Sequence, residues 1–305
     1  MVKLTMNTLL RSGAAAILIA LSVQFFTVGV IAPNLPSLQR TRTLSFPQAT
    51  RLVHISNHDG AILVETHPGQ SIEIVADIRA YVHNPIWKGL AEEYLDTLVR
   101  TDHISDTLSI MTEPEERPDE LDLRVDYRIL VPEGTDIGAV SMNGNVRVGP
   151  GCGNIRIKGN YADIDIAESS GTVVAKTVTG RIEVSGATKD TTLETVNGRV
   201  YATLASGALE ASTTTGNIYV TLAGTEVDAC NLTVMNGDIT LVMSQAGSAR
   251  VQASTGRGAI SSDFSLEQRE GVQRRRELRG VIGAGRTELT LESLNGSIRL
   301  TRSMT

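Results

Sequence analysis

Thr179-Gly180-Arg181-Ile182-Glu183-Val184, Asn197-Gly198-Arg199-Val200-Tyr201-Ala202 and Thr215-Gly216-Asn217-Ile218-Tyr219-Val220 are three copies of one phrase, with their glycines 18 residues apart. An earlier copy, Asn143-Gly144-Asn145-Val146-Arg147-Val148, lies 36 residues before Gly180, two such steps. The intervening copy has alanine at the glycine position, Tyr161-Ala162-Asp163-Ile164-Asp165-Ile166. Looser copies follow at Asn236-Gly237, Thr255-Gly256 and Asn295-Gly296. A fixed period of this size marks a repeat whose single unit cannot bury its own apolar face and must stack on neighbours.

Each unit holds two strand-like pieces. After the glycine the second and fourth residues are apolar, as in Val146/Val148, Ile164/Ile166, Ile182/Val184 and Ile239/Leu241. That alternation is the mark of a half-buried strand. A weaker alternation precedes the glycine, as in Ile155/Ile157, Val173/Ala175 and Leu209/Ala211. Gly144, Gly180, Gly198, Gly216, Gly237, Gly256 and Gly296 are therefore the expected corners, where the backbone must turn. An isolated Asn-Gly would suggest a two-residue hairpin. A turn at one fixed phase of every second strand instead favours a β-solenoid over a hairpin sandwich.

Stacking at the strand spacing of roughly 4.8 Å aligns equivalent residues. One outward column then reads Arg147, Asp165, Glu183, Tyr201, Tyr219, Thr240, and a second Asn145, Asp163, Arg181, Arg199, Asn217, Asp238. Inward columns of Val, Ile, Leu and Ala make a thin core, which suits a chain with only four Phe and one Trp.

The chain has 305 residues and a net charge of −6, which argues against general nucleic-acid binding. Two cysteines, Cys152 and Cys230, are too few for a disulfide framework and lie more than four rungs apart, so both read as free packed thiols. Ser12 to Ala32 is apolar, with Lys3 and Arg11 before it, and is expected to be an uncleaved signal anchor over 1–32. A cleaved signal peptide is the rival reading, leaving the product secreted or periplasmic. Residues 33–50 read as a linker, 51–136 as an N-terminal β region with a helix inserted at 87–100, and 137–305 as the repeats. Glu267 to Arg279 interrupts the repeats with a basic run that includes Arg274, Arg275 and Arg276, a solvated loop or an anion-docking patch.

Asp126-Tyr127-Arg128-Ile129-Leu130-Val131-Pro132-Glu133-Gly134, leading into Asn143-Gly144-Asn145-Val146, resembles the entry segment of the DUF4097 putative-adhesin family. Gly280-Val281-Ile282-Gly283-Ala284-Gly285, Leu289-Thr290-Leu291 and Asn295-Gly296-Ser297-Ile298 resemble its closing segment. The resemblance implies a β-solenoid envelope domain, often membrane-tethered in bacteria, and supplies no catalytic residues.

Chemistry finds little purchase. His54, His58 and His67 with Asp59 have no shared face on which to converge on a metal, and no cofactor fingerprint is present. Asn231-Leu232-Thr233 and Asn295-Gly296-Ser297 match the glycosylation sequon by chance of the repeat. Asp163, Asp165 and Glu183 resemble the acidic clusters of polysaccharide-acting β-helix enzymes, but they alternate with arginines. The expectation is a non-enzymatic, membrane-tethered protein binding an envelope protein or surface polymer. Its candidate surface is Arg147, Asp165, Glu183, Tyr201, Tyr219 and Arg274 to Arg276. The alternative is a β-helix enzyme acting on polysaccharide; self-assembly through uncapped coil ends is a third possibility.

Overall fold

The computed structural model describes residues 37–46, 50–112, 121–244, 247–266 and 276–303. The expected anchor at 1–32 and Arg274 and Arg275 lie outside the described residues. Among the described residues no helix is long and apolar enough to cross a membrane.

Among the described residues the chain is all-β apart from one short helix, and its strands wind into a solenoid of parallel rungs. Each rung contributes a strand before the corner to face A and a strand after it to face B. Numbered along the stack, rung 1 is Leu52–Asp59 with Ile62–His67, and rung 2 is Asp136–Asn143 with Val146–Val148. Rung 3 is Ile155–Tyr161 with Ile164–Ile166, and rung 4 is Val173–Thr179 with Ile182–Ala187. Rungs 5, 6 and 7 follow through Thr191–Asn197, the long strands Val200–Thr215 and Ile218–Asn236, and Ile239–Met243. Rung 1 falls inside the region expected to precede the repeats, and its Asp59-Gly60 is a corner of the same kind.

The stacking then departs from sequence order. Thr287–Asn295 with Ile298–Arg302 pairs with rung 7 on one side and with Ala249–Arg257 and Ile260–Ser262 on the other. The later segment is thus rung 8 and the earlier one rung 9. Glu277–Ile282 closes face A as an antiparallel strand outside rung 9, so Arg279 belongs to a strand and not to a loop.

The core is the double row of inward side chains between the faces. Ile155, Ile157, Val173, Ala175, Leu209 and Ala211 meet Ile164, Ile166, Ile182, Val184, Ile218 and Val220, all buried. Burying each aliphatic side chain contributes about 1.5–3 kcal/mol, so many thin layers replace a few aromatic anchors. Cys152 and Cys230 are free and buried in this row.

The ends are blunted. At the start of the stack, Leu121–Pro132, Ile72–Val82 and Leu38–Phe46 extend face B, and Thr107–Thr112 with Val99–Ile104 extends face A. Helix α1 (Lys88–Thr97), preceded by a single 3-10 turn, packs on this extension within the stretch expected to be helical. Arg40 and Arg42 on the edge strand reach α1: Arg40 ion-pairs with Asp96, and Arg42 donates to the carbonyls of Asp96 and Val99 at 3.2 and 2.9 Å. Charges committed inward on an edge strand oppose strand addition. At the far end the face-B edge is only three residues long, and Arg302 covers Phe264 at 5.2 Å.

Candidate functional site

The corners carry the geometry from which every surface follows. Carbonyl oxygens of the glycine file lie directly beneath the next glycine. A Cβ on Gly198 would fall 1.8 Å from the Gly180 carbonyl oxygen, and one on Gly216 1.8 Å from that of Gly198. Gly237 meets Gly216 and Gly296 meets Gly237 in the same way, at 1.9 Å each. Gly144 continues the file onto Gly60, and Gly180 sits over Ala162. The single file expected from the sequence is present.

One member is corrected. Arg257 pairs with Asn295, so the corner opposite Gly296 is Gly258 (φ +154°), and Gly256 lies within the strand opposite Leu294. The phrase Gly258-Ala259-Ile260 keeps the glycine–x–apolar spacing of the other corners and would have given the right phase.

A column of hydroxyls braces the corners from inside, a feature that the sequence reading missed. Thr177 donates to the Ala162 carbonyl at 3.1 Å, Thr195 to Gly180 at 3.2 Å and Thr213 to Gly198 at 3.1 Å. Ser293 and Thr255 do the same for Gly237 and Gly296, at 3.0 and 2.7 Å. Asn57 plays this part at rung 1, donating to Gly60 and Val125, while Thr112 donates to its side-chain oxygen and bonds the Tyr127 hydroxyl at 2.7 Å. A regular buried Ser/Thr at one strand position was the available signal.

Outside the corner, side-chain carbonyls form a second ladder. Asn145 accepts from the Asp163 amide at 3.3 Å, Asp163 from Arg181 at 2.7 Å, Asn217 from Asp238 at 3.0 Å and Asp238 from Ser297 at 2.7 Å. These were predicted as a surface column, and the bonds explain why it is rich in Asn and Asp.

Face B carries the predicted outward column in register: Arg147 beside Asp165, Asp165 beside Glu183, Glu183 beside Tyr201, Tyr201 beside Tyr219, Tyr219 beside Thr240. Arg147 and Asp165 are ion-paired at 3.1 Å, and Arg181 approaches Glu183 at 3.5 Å. The tyrosine rings stack at 5.1 Å, and Asn217 donates to the Tyr219 hydroxyl at 3.2 Å. The rings spend one face each on one another, so solvent meets edges and hydroxyls. Arg276 is exposed beyond rung 9, its carbonyl accepting from the Thr255 amide at 2.9 Å, and is not part of the column.

The histidines are held in separate local contacts. His58 bonds Asp59 at 2.6 Å, His67 the Ser71 carbonyl at 2.7 Å and His83 Asp122 at 3.0 Å. His103 contacts the Thr50 hydroxyl at 3.1 Å, and His54 leans over Gly138. Among the described residues no group of His, Cys, Asp and Glu is placed to hold a metal ion.

A family model described as Toastrack DUF4097 matches residues 124–301, more than half of the chain. The chain belongs to the Toastrack DUF4097 family. The match begins within Leu121–Pro132 and runs through rungs 2 to 9. Among solved structures, a putative adhesin from Bacteroides fragilis superposes with TM-score 0.52 at 13% identity, covering 88% of this chain and 98% of that one. At that identity the likeness is one of fold. A putative adhesin from Parabacteroides distasonis aligns over 87% of this chain and 97% of its own at 10% identity, with TM-score 0.33. No curated protein matches the chain.

Proposed function

We propose that this Toastrack protein is a non-enzymatic, adhesin-like binding scaffold of the cell envelope, tethered to the membrane through residues 1–32 with the solenoid outside the cytoplasm. The observation that carries the reading is the face-B ladder. Arg147, Asp165, Glu183, Tyr201 and Tyr219 stand side by side on one sheet face, each in register with the next. Such a row suits an extended, polar partner, a protein edge or a surface polymer, that reads charge and hydroxyls along the axis. Arg276 adds positive charge beyond the last rung, and Arg274 and Arg275 precede it in the sequence. The designation of the Bacteroides fragilis protein as a putative adhesin points the same way. Asp165 and Glu183 sit on adjacent rungs but engage Arg147 and Arg181, which supports a surface ladder over an acid–base pair for glycoside cleavage.

The test is binding of the purified chain to isolated envelopes, with Arg147→Glu, Tyr201→Ala and Tyr219→Ala in one variant. The expected result is at least a tenfold loss of binding, together with membrane fractionation that depends on residues 1–32. Unchanged binding, or release of new sugar ends from the polymer, would overturn the proposal.

A further inference from the structure

Face A is uncovered among the described residues, and its charged side chains change sign along the central rungs. Basic residues gather early, with Arg156 and Lys158 on rung 3 and Lys176 on rung 4. Acidic residues come later, with Glu194 on rung 5, Glu210 on rung 6 and Glu292 on rung 8. Beside the corner stand Met142, Val178, Val196, Met235 and Leu294, each 40–53% exposed, with Asn160 on rung 3 and Thr214 on rung 6 interrupting the column. Exposed apolar side chains grouped in one column and rimmed by charge mark a protein-binding surface.

We propose that face A binds face A of a second copy of this chain about a two-fold axis lying along the strands between rungs 4 and 5. That operation keeps each column over itself and inverts the rung order, so rungs 3 and 6, 2 and 7, and 1 and 8 come to face each other. The columns are then self-complementary, as an isologous interface requires. Arg156 faces the second copy's Glu210. Lys176 faces its Glu194, and because Lys176 already pairs with Glu194 of its own chain at 2.5 Å, the axis passes through an alternating quartet of charges. In the apolar column Val178 faces Val196 and Met142 faces Met235. Gly138 lies opposite Asn231, which fills the hollow of about 220 Å³ that His54, Gly138, Arg156 and Val174 line on rungs 1 to 4. None of these pairs joins like charges.

The size is adequate. Six residues of strand at about 3.3 Å by eight rungs at about 4.8 Å is roughly 760 Å² per copy. The total of about 1,500 Å² falls within the range of stable, specific interfaces. Two sheets meeting with strands aligned is also the common packing of flat β-layers. The pairing leaves face B of both copies outward and does not depend on what face B binds.

The test uses the full-length chain in mild detergent, with mass measured by light scattering. Dimer is expected for the unaltered chain. Arg156→Glu and Glu210→Arg should each raise the dissociation constant at least about tenfold, since each sets like charges together twice per dimer. Their combination should return it to within about threefold of the unaltered value. Within one chain Arg156 and Glu210 are three rungs apart, about 14 Å, so recovery cannot arise from a contact inside one copy. It cannot come from the N-terminal apolar segment either. Mixing Met142→Cys with Met235→Cys chains should give a mixed disulfide under mild oxidation, and each variant alone should not. A monomeric unaltered chain, no recovery in the charge swap, or equal cross-linking by the single variants would each overturn the inference.

Discussion

The rings of Tyr201 and Tyr219, contributed by successive rungs, lie 5.1 Å apart and within 8° of parallel. Each ring sees a rung of different chemistry on its other side, Glu183 below and Thr240 above. A double-mutant cycle with Tyr201→Leu and Tyr219→Leu should give a coupling of about 0.5–1.5 kcal/mol by chemical denaturation. A coupling indistinguishable from zero would mean that the rings part in solution.

Gly216 combines φ of +144° with a carbonyl oxygen 1.8 Å from where a Cβ would be. Gly216→Ala should therefore cost about 3 kcal/mol or more, since backbone on both rungs must shift. The natural Ala162 stands in the same file with φ outside the left-handed region, so Ala162→Gly should cost only about 1 kcal/mol. Equal effects at the two sites, measured by chemical denaturation, would refute a steric origin for the glycine file.

Val234 interrupts the hydroxyl column, paired with Thr213 on one side and Ser293 on the other. Thr213→Val should cost about 1–2 kcal/mol by leaving the Gly198 carbonyl without its donor. Val234→Thr, which offers a hydroxyl to the Gly216 carbonyl, should lie within about 0.5 kcal/mol of the parent. The same change at Val220, in the apolar row of face B, should cost about 1–3 kcal/mol. Thermal unfolding of the three variants orders them directly.

Burial pushes the Cys230 thiol up from 9.0 to about 12 and the Cys152 thiol to about 11. Burial likewise raises Tyr127 from 10.0 to about 12, against the opposing hydrogen bond from Thr112 and the charge of Arg42. In all three the folded value lies above the unfolded one, so the folded state holds its protons longer. Their contribution is intact below about pH 9 and drains away as pH rises toward 12. The unfolding midpoint should be insensitive to these groups at neutral pH and fall steeply above about pH 9, with Cys230→Ala and Tyr127→Phe flattening part of the slope. Native protein should resist thiol alkylation at about pH 8 until it unfolds.

The period, the file of corners and both surface columns were legible because a solenoid writes its pitch into the chain, and each outward residue recurs at the same phase. Four features were not. Gly256 reads as a corner because Thr255-Gly256 resembles the Thr-Gly of Thr179-Gly180, whereas register with Asn295-Gly296 puts the turn two residues later. Rung 1 was set apart by the long stretch between His67 and Asp136, which hides its register with rung 2. The buried threonines looked like ordinary strand formers, since a donor to a carbonyl one rung away leaves no local trace. The charge order of face A is hidden in the sequence because it relates distant rungs and is not a repeat between neighbours.

Rung 8 is built from residues that follow those of rung 9, yet it lies beneath them. During synthesis, Ala249–Arg257 emerges before the strand that will separate it from Ile218–Asn236 exists. This coil therefore cannot be wound turn by turn as the polypeptide leaves the ribosome. Ala249–Ser262 can meet its stacked neighbour only once Thr287–Arg302 has also emerged.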